Sequence, residues 1–334
     1  MTKNHTPRVR DVAELANVST ATVSRTLSRP DLVSEATRDL VLRAVEQTGY
    51  TINMAARNLR RQRTGCILAL VPNLANPFFA AILAGINSEL RGRGLSLLVA
   101  DTTADPDAPD MLVEFAHRSR TDGLIVLDGS IPASVLTRAA CPPVVLACEW
   151  IEGLTIPRVI ADNQAGSAMA ARHLVDLGHR RILHLTGPSG NPLTVARHAA
   201  AMAALADAGV APDPALRIEG DFTLASGQAA ATAILAMPTR PTAVLCHNDE
   251  MACGLMGALQ EGGLRVPDDI SIIGFDDIAM SAHVSPALTS IRQQRDNLGA
   301  VAARTLLALL DGDEVAPETV LPVDLVLRGS TARP

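Results

Sequence analysis

The sequence predicts an α/β protein in two parts, a small all-α domain at the N-terminus and a larger two-lobed domain built on parallel sheets. Three observations lead to this fold class. Apolar residues recur at helical spacing three times within the first fifty residues. After Thr64, short apolar runs alternate with helical stretches, a pattern typical of parallel strands covered by helices on both faces. The alternation restarts after Asp162, which indicates a second lobe.

The first predicted helix and the turn after it follow a basic opening segment. Asp11 is a suitable N-cap for this helix. The apolar positions of the helix recur at helical spacing, at Val12, Leu15 and Ala16. Residues 17–18 form the turn, and Ser19 is a suitable N-cap for the next helix. We therefore expect two short helices joined by a tight turn.

Two further helices complete the predicted N-terminal domain. In the second helix, Val23 and Leu27 lie four residues apart and face inward. The third helix runs over residues 34–47 and ends at Gly49. Its packing stripe consists of Leu40, Val41, Ala44 and Val45. A generic three-helix bundle would show the same spacing of apolar residues. The distribution of charge is therefore needed to distinguish such a bundle from a DNA-binding helix-turn-helix.

Charge is divided unevenly along the chain. Residues 1–63 carry eleven Lys and Arg against six acidic residues, a net charge of +5. The remaining residues carry 18 basic and 29 acidic side chains, a net charge of −11. Phosphate groups are attracted to the first segment and repelled by the second. This distribution favours a nucleic-acid-binding domain at the N-terminus over a generic bundle.

A DNA-binding motif fills the predicted helix-turn-helix. Residues 11–25 match every fixed position of D-V-A-x-x-A-x-V-S-x-x-T-V-S-R. On this motif, residues 10–60 resemble the lac repressor family of bacterial transcription regulators. The resemblance implies a recognition helix in the DNA major groove, with Thr20, Ala21 and Arg25 reading base edges. Contacts to phosphate, or capping roles, then fall to Arg10, Ser19, Thr22 and Ser24.

The segment after this domain resembles the hinge helix of the same family. There, two hinge helices of a dimer enter the minor groove, and a leucine wedges between base pairs. The corresponding residues here are Asn53, Ala56, Arg57 and Leu59. A helix this short has little stability in water by itself. We therefore expect it to form only when the chain is dimeric and bound to DNA. Ile52 stands where the family commonly has proline, and an ordinary basic linker is the alternative interpretation.

Composition restricts the class of protein. At 334 residues with 48% apolar content, the chain can fill more than one core. No apolar run reaches bilayer-spanning length, and the N-terminus lacks a signal-peptide pattern. The five cysteines are odd in number and form no C-x-x-C pair, which is typical of reduced thiols in a cytoplasmic protein. Cys246-His247 is a potential ligand pair that nothing adjacent completes, so we expect no metal site.

The strands and helices of the larger domain are predicted in alternating order. The strands are 66–71, 95–100, 124–127, 144–147, 181–185, 217–219, 243–246 and 271–273. The helices are 79–91, 111–118, 164–177, 197–208, 225–235 and 250–261. Ligands of such folds bind beyond the carboxyl ends of the strands. We therefore expect a small-molecule site in a cleft between the two lobes.

The larger domain resembles the two-lobed core of the lac repressor family, which is itself similar to periplasmic sugar-binding proteins. The resemblance rests on segments 71–72, 76–79, 162–163, 178–182, 248–251, 274–277 and 328–331. It implies a DNA-binding domain over 7–50, a hinge and linker over 51–63, and an effector-binding and dimerisation core over 64–330. Within the core, the N-subdomain covers about 64–161 and 292–322, and the C-subdomain about 162–290. Crossing segments between them would act as a hinge.

Candidate effector contacts combine scarce aromatic residues with polar residues at the family's effector positions. The chain has five Phe, one Trp and one Tyr, so their placement at strand exits is informative. The candidates are Phe78, Phe79, Glu149, Trp150, Arg197, Phe222, Asn248 and Asp276. Aromatic rings can sandwich a planar ligand, while a carboxylate accepts hydroxyl groups and Arg or Asn fixes orientation. Plain core packing is an equal alternative for Phe79 and for Phe275.

The effector class is read from segments 146–150, 187–193 and 241–249. These look most like the nucleoside-responsive, cytidine branch of the family, and a nucleoside needs the stacking surface and hydroxyl acceptors named above. Residues 197–200 depart from the family's R-x-x-G. A pentose or hexose remains the alternative. Purines fit less well, because Asn191 and Leu193 replace the Arg and Thr of purine-binding members.

Other classes of function lack their motifs. The sequence contains no G-x-G-x-x-G after a strand, no phosphate-binding G-x-x-x-x-G-K-[ST] and no G-x-S-x-G. We therefore expect no enzyme activity and no cofactor. A free-standing sugar-binding protein would have a signal peptide and would lack the positively charged N-terminal segment. The sequence meets neither condition. The expectation is a homodimeric, DNA-binding repressor whose affinity for double-stranded operator DNA is set by a nucleoside or sugar effector.

Overall fold

The structure is a computed structural model that describes residues 7–50, 63–103, 114, 116–211 and 213–334. The chain forms two compact units, Met1–Thr64 and Gly65–Pro334. Each unit is described by itself below. In the described ranges, no helix combines the length and apolarity needed to cross a bilayer.

The first unit is a three-helix domain. Its helices are α1 (Val9–Leu15), α2 (Thr20–Ser28) and α3 (Glu35–Thr48), with a 3-10 turn at Pro30–Leu32. Ser19 and Ser34 cap α2 and α3 by accepting from the backbone N–H of Thr22 and Thr37, at 3.0 and 3.4 Å. Gly49 ends α3 with φ of 64°, a left-handed conformation that glycine adopts without strain. The predicted helix-turn-helix domain is confirmed.

Three local predictions in this unit are wrong. Asp11 is not the N-cap of α1, because the helix begins earlier, and its carboxylate instead accepts from the backbone N–H of Arg8 at 2.7 Å. Leu15 is 52% exposed, because the side of α1 covered by the other helices is the one with Val12, Ala13 and Ala16. Leu40 is 48% exposed, because the covered side of α3 is the one with Val41 and Ala44. The buried core consists of Val12, Ala13, Ala16, Val23, Val41 and Ala44.

The second unit contains two six-stranded sheets. The first sheet has the order β11-β5-β4-β3-β1-β2 and all its pairs are parallel. Its strands are β1 (Cys66–Val71), β2 (Ser96–Asp101), β3 (Gly123–Val126), β4 (Val144–Ala147), β5 (Arg158–Ala161) and β11 (Glu318–Leu321). The second sheet has the order β12-β10-β9-β8-β6-β7 and is parallel except for the β10–β12 pair. Its strands are β6 (Ile182–Thr186), β7 (Arg217–Glu219), β8 (Ala243–Cys246), β9 (Ser271–Asp276), β10 (Thr289–Gln293) and β12 (Val323–Val326). This confirms the predicted fold class.

Seven described helices accompany these sheets. They are α4 (Phe78–Gly92), α5 (Ala133–Leu136), α6 (Asn163–Leu177), α7 (Pro192–Asp207), α8 (Leu224–Leu235), α9 (Asp249–Glu261) and α10 (Arg295–Asp311). Helices α4 and α10 pack closely, because a Cβ on Gly85 or Gly299 would lie 2.0 Å from a backbone carbonyl oxygen of the other helix.

The chain crosses between the two sheets three times. It passes from β5 to α6 at Asp162, from β10 to α10 at Gln294, and from β11 to β12 at Pro322. Each lobe is therefore assembled from separate stretches of sequence. Three adjacent crossings form the type of hinge about which two lobes can rotate.

Several elements of this unit differ from their predictions. Helix α7 begins at Pro192 rather than at residue 197, because the side chain of Asn191 accepts from the backbone N–H of Leu193 at 2.8 Å and Pro192 suits the first turn. Strand β9 extends to Asp276, and strands β5, β10, β11 and β12 were not in the predicted set. Predicted helix 111–118 lies partly outside the described residues, and its described end at 116–118 forms turns.

Candidate DNA-binding surface and effector cleft

The side chains predicted to read DNA lie on the exposed face of α2. Thr20, Ala21, Ser24 and Arg25 are all exposed, while Val23 is buried in the core of the unit. Across the described ranges, no hydrogen bond or ion pair engages the Arg25 guanidinium. An exposed arginine with open donors can form a bidentate pair with a guanine edge. This geometry suits a recognition helix.

The three other predicted contacts in this domain have local partners. The hydroxyls of Ser19 and Thr22 bond to each other at 2.8 Å at the start of α2. Arg10 forms an exposed ion pair with Glu14, with Nε and Oε1 2.9 Å apart. Such a surface pair contributes little to stability, so Arg10 can exchange its partner for a phosphate at low cost. Capping therefore accounts for Ser19 and Thr22, and Arg10 remains available.

The predicted hinge residues cannot be placed in this structure. Asn53, Ala56, Arg57 and Leu59 lie outside the described residues. Their assignment to the minor groove stays a prediction.

Arg197 is buried in the second lobe and lies close to another candidate effector residue, Asp276. Arg197 is 2% exposed, and its Nε donates to Oδ1 of Asn163 at 2.8 Å. Its Nη1 donates to the carbonyl oxygen of His247 and lies 3.9 Å from Oδ1 of Asp276. Its guanidinium carbon stacks over the ring of Phe275 at 3.8 Å from the centroid. Arg197 and Asp276 were both candidate effector residues, and the structure brings them together from different segments of the chain.

Burial shifts the pKa values of the charged groups in this network. Desolvation raises the pKa of Asp276 to about 7, although Arg197 opposes the shift. Desolvation also lowers the pKa of Arg197, which the nearby carboxylates oppose. At Oδ1, Asp276 accepts from Nε2 of Gln293 at 2.7 Å. A carboxyl that titrates near neutrality beside a fixed cation is typical of a functional site.

Glu149 joins the two lobes. Its Oε2 accepts from the backbone N–H of Gly129 at 2.7 Å, and its Oε1 accepts from Nδ2 of Asn191 at 2.8 Å. Glu149 follows β4 of the first sheet, whereas Asn191 caps α7 beside the second sheet. Burial raises the pKa of Glu149, and the two hydrogen bonds oppose the shift. Glu149 therefore contacts residues from both lobes.

Trp150 lines a large cavity in the described part of the chain. The cavity has a volume of about 840 Å³ and lies between the β4 exit and α7. Its lining is Gly129, Trp150, Ile151, Glu152, Gln164, Gly190, Pro192, Val195, Ala196, Ala199 and Ala200. The Trp150 indole donates from Nε1 to Oε1 of Glu152 at 2.7 Å. Of the eight candidates, Trp150 alone lines this cavity; Arg197 and Asp276 are buried and are not part of its lining.

Two other candidates already have structural partners at the exit of β7. Asn248 caps α9, accepting from the backbone N–H of Met251 at 3.0 Å, and donates to the carbonyl oxygen of Phe222 at 2.9 Å. The half-buried Phe222 ring covers Gly187, where a Cβ would approach the ring to 2.1 Å. Asn248 therefore fixes the position of Phe222.

The two candidates after β1 are nearly buried. Phe78 and Phe79 are each 7% exposed and contact each other edge to face, with centroids 5.1 Å apart. The guanidinium carbon of Arg295 lies 6.0 Å from the Phe78 centroid. Core packing, which sequence reasoning left open for Phe79, accounts for the burial of both rings.

Strained backbone concentrates at the strand exits. Positive φ values occur at Cys148 (67°), Phe222 (67°), Asp276 (116°) and Asp277 (52°). These residues follow or end β4, β7 and β9, on the side where ligands of parallel sheets bind. Non-glycine residues persist in such conformations where surrounding structure enforces them, commonly at functional sites.

Three polar residues of the cleft were not among the predicted contacts. Asn163 and Gln293 hold Arg197 and Asp276 at the crossings. Asp128, buried at the exit of β3, accepts from the backbone N–H of Ser130 at 2.8 Å. The signal was available, since each is a polar residue within two residues of a strand end.

Comparison with known proteins identifies the family. Residues 8–53 match the model for bacterial regulatory proteins of the lacI family, and residues 171–331 match a periplasmic binding protein-like domain. The HTH-type transcriptional repressor CytR of Escherichia coli (strain K12) is 36% identical over 326 residues, which cover 97% of this chain and 96% of that protein.

Solved structures extend the similarity to the whole fold. A lac repressor dimer bound to operator and the anti-inducer ONPF is 31% identical, with a TM-score of 0.88 and coverage of 98% of this chain and 100% of that one. A complex of the transcriptional regulator CelR with cellobiose is 31% identical, with a TM-score of 0.75 and coverage of 97% and 99%. These similarities confirm the prediction that the chain is a transcription regulator. They also confirm that it is neither an enzyme nor a free-standing sugar-binding protein. This chain belongs to the lacI family of bacterial regulatory proteins, and it is a DNA-binding transcriptional repressor with a small-molecule effector.

Proposed function

We propose that the chain represses transcription as a homodimer on a near-palindromic operator and takes a nucleoside as its effector. The observation that carries the effector assignment is the buried Arg197–Asp276 pair at the strand exits. Asp276 is buried and does not line the cavity beside Trp150, so the proposal requires the lobes to move apart on binding. The carboxylate, held beside a fixed guanidinium, is then a suitable acceptor for the vicinal hydroxyls of a ribose. This pair and the hinge crossings belong to the same lobe-to-lobe region.

Trp150 supports a nucleoside over a simple sugar. Its half-buried indole borders a cavity of about 840 Å³, which exceeds what a single pentose fills. An aromatic face offers stacking to a planar base, and a pentose alone would leave that face unused. A sugar effector is the second candidate, favoured by the similarity to the CelR–cellobiose complex.

The proposed mechanism couples the cleft to the operator. Two recognition helices of a dimer occupy successive major grooves, with half-site centres about 10 base pairs apart or more. The effector favours one arrangement of the lobes, and this changes the spacing of the hinge segments 51–63. By linkage, the operator changes effector affinity by the same factor.

The test is a titration of the operator complex. A labelled duplex, selected by the full-length protein from a random pool, is followed by fluorescence anisotropy at fixed salt while cytidine, adenosine, ribose, glucose or cellobiose is added. We expect a nucleoside to shift operator affinity at lower concentration than any sugar. A response to sugars alone would replace the nucleoside by the second candidate, and no response to any compound would contradict the cleft assignment.

A matched pair of variants ties the response to the cleft. Asp276→Asn removes the charge of the buried carboxyl, whereas Asp268→Asn removes an exposed one that pairs with Arg265 at 3.2 Å. We expect Asp276→Asn to weaken the effector response at least about tenfold, as for lost charge-assisted hydrogen bonds. Asp268→Asn should respond as the unchanged protein does.

A further inference from the structure

Three histidines converge in the second lobe; one of them, His198, is next to Arg197 in the chain, but none is itself among the candidate effector residues. His184 lies in β6, His198 on α7 and His247 directly after β8. One ring nitrogen from each lies within 4.8 Å of those from the other two. The rings of His184 and His198 meet edge to face at 5.2 Å between centroids, and those of His198 and His247 are 6.4 Å apart.

Most nitrogens of this histidine cluster are buried without a hydrogen-bond partner. Among the described residues, both ring nitrogens of His184, both of His247 and Nδ1 of His198 lack one. Folded proteins rarely leave buried polar groups unsatisfied, and clusters of such groups commonly mark a site that binds water or an ion. Five such atoms in one place are therefore a specific feature of this chain.

The charge state of the cluster suits metal ligation. Burial and the neighbouring positive groups lower the pKa of all three histidines, that of His184 to about 4. The rings are therefore neutral at pH 7, which is the form that binds a metal ion.

Small rotations of the three side chains would bring their ring nitrogens to the spacing of a metal site. In tetrahedral sites, Zn–N bonds of about 2.0–2.1 Å place the nitrogens about 3.4 Å apart. Nitrogens already within 4.8 Å reach that spacing through side-chain rotations. His184 and His198 also line a cavity of about 250 Å³, which gives an ion a path inward and leaves room for a water as fourth ligand.

We propose that His184, His198 and His247 bind one divalent transition metal ion, zinc foremost, in the second lobe. Three imidazoles with no carboxylate select zinc, copper, nickel or cobalt over magnesium and calcium, which prefer oxygen. The positive charge of Arg217 on the cavity wall lowers the affinity for any cation, so only an ion with strong imidazole bonds fits.

The position of the site connects it to the effector arginine. His198 follows Arg197 on α7, and the carbonyl oxygen of His247 accepts from Nη1 of Arg197. A bound ion would therefore tie together the two segments that hold Arg197. The sequence did not predict this site. His247 was considered only together with Cys246, and the other two ligands, His184 and His198, lie far from it in sequence.

The experiment measures zinc binding to the full-length protein, prepared without a polyhistidine tag, stripped with EDTA and kept reduced. Zinc is titrated against a chromophoric indicator. The proposal predicts one equivalent of zinc per chain. His198→Gln changes the partly exposed ligand, and we expect it to weaken binding of that equivalent about tenfold or more. His283→Gln changes an exposed histidine outside the cluster and should leave binding unchanged.

Two outcomes would overturn the proposal. One is the absence of a stoichiometric zinc equivalent; the other is an equivalent that His198→Gln binds as tightly as the unchanged protein. X-ray absorption at the zinc edge of the loaded, unchanged protein provides a readout that does not depend on the variant folding. Nitrogen scattering with imidazole features supports the site, whereas sulfur scattering would assign the zinc to cysteines instead.

Discussion

The recognition helix and the effector cleft use arginine in opposite ways. Arg25 is exposed, and its guanidinium has no partner in the described part of the chain. Arg197 is buried, with two acceptors, a nearby carboxylate and an aromatic ring around it. The first arginine depends on a partner molecule, and the second depends on the fold. Stability and binding should therefore respond differently to changes in the two regions.

The largest expected effect is on the stability of the second unit. Arg197→Met keeps the side-chain bulk but removes the cation that lies 3.9 Å from Asp276, and it leaves the Oδ1 of Asn163 and the His247 carbonyl without their donor. Breaking a buried pair from one side costs about 3–5 kcal/mol. We expect that loss in the free energy of unfolding measured by urea denaturation. Arg172→Met, at an exposed arginine of α6, is the control, and an equal loss there would contradict the comparison.

The next effect is on operator binding. Arg25→Ala should weaken binding to the selected duplex by about 1–3 kcal/mol, the value of one bidentate base contact. Binding to random DNA should fall much less, and the free energy of unfolding should change by less than about 0.5 kcal/mol. Both affinities are measured by anisotropy at fixed salt. Arg43→Ala removes the same charge from α3 and serves as the control; equal losses of specific binding in both variants would argue against base reading by Arg25.

The third effect is a pH dependence confined to the cleft. The folded pKa of Asp276 is raised to about 7, so this carboxyl is mostly protonated below that pH and ionised above it. If the ionised form accepts the effector hydroxyls, effector affinity should rise about tenfold between about pH 6 and about pH 8. Calorimetric titration of the effector checks this.

The same shift affects stability with the opposite sign. Because the folded state holds the Asp276 proton more tightly than the unfolded chain does, this group favours folding at low pH. That contribution declines as pH rises from about 4 toward about 7. Asp276→Asn should flatten both profiles, and an unchanged pH dependence in that variant would assign the titration to another group.

The smallest effect concerns the cap of the recognition helix. Ser19→Ala removes the hydroxyl that accepts from Thr22, and a lost N-cap costs about 1 kcal/mol. Hydrogen exchange of the α2 amides should report a faster local opening of that size. Ser24→Ala lies on the exposed face of the same helix and should not speed exchange, since alanine favours helix. Faster exchange in both variants would show that the cap is not responsible.

Local patterns explain why the N-terminal domain was largely predictable. The caps at Ser19, Ser34 and Gly49 act on the nearest turn, so the residue itself identifies the end of a helix. The errors at Leu15 and Leu40 concern which side of each helix its neighbours cover, and this depends on packing between helices rather than on the spacing of apolar residues within one helix. Buried strands such as β1, β4 and β8 were also predicted to the residue, because parallel strands read as short apolar runs.

The cleft was less predictable because its contacts are distant in sequence. The resemblance pointed to Arg197 and Asp276. Asn163 and Gln293 could be recognised as polar residues near strand ends, but their pairing with Arg197 and Asp276 depends on contacts distant in sequence. Strands β5, β11 and β12 have polar residues among their apolar ones, since they lie near or at sheet edges, and so lack the apolar-run signal. The histidine cluster joins three elements and had no local signal at all.

The central claim is that the effector cleft and the operator surface are coupled within one chain. The most direct test measures the effector dissociation constant of the full-length protein with and without saturating operator duplex, using the nucleoside that is active in the anisotropy titration. The account predicts that operator shifts this constant by the factor by which the nucleoside shifts operator affinity. An effector constant that operator leaves unchanged would contradict it.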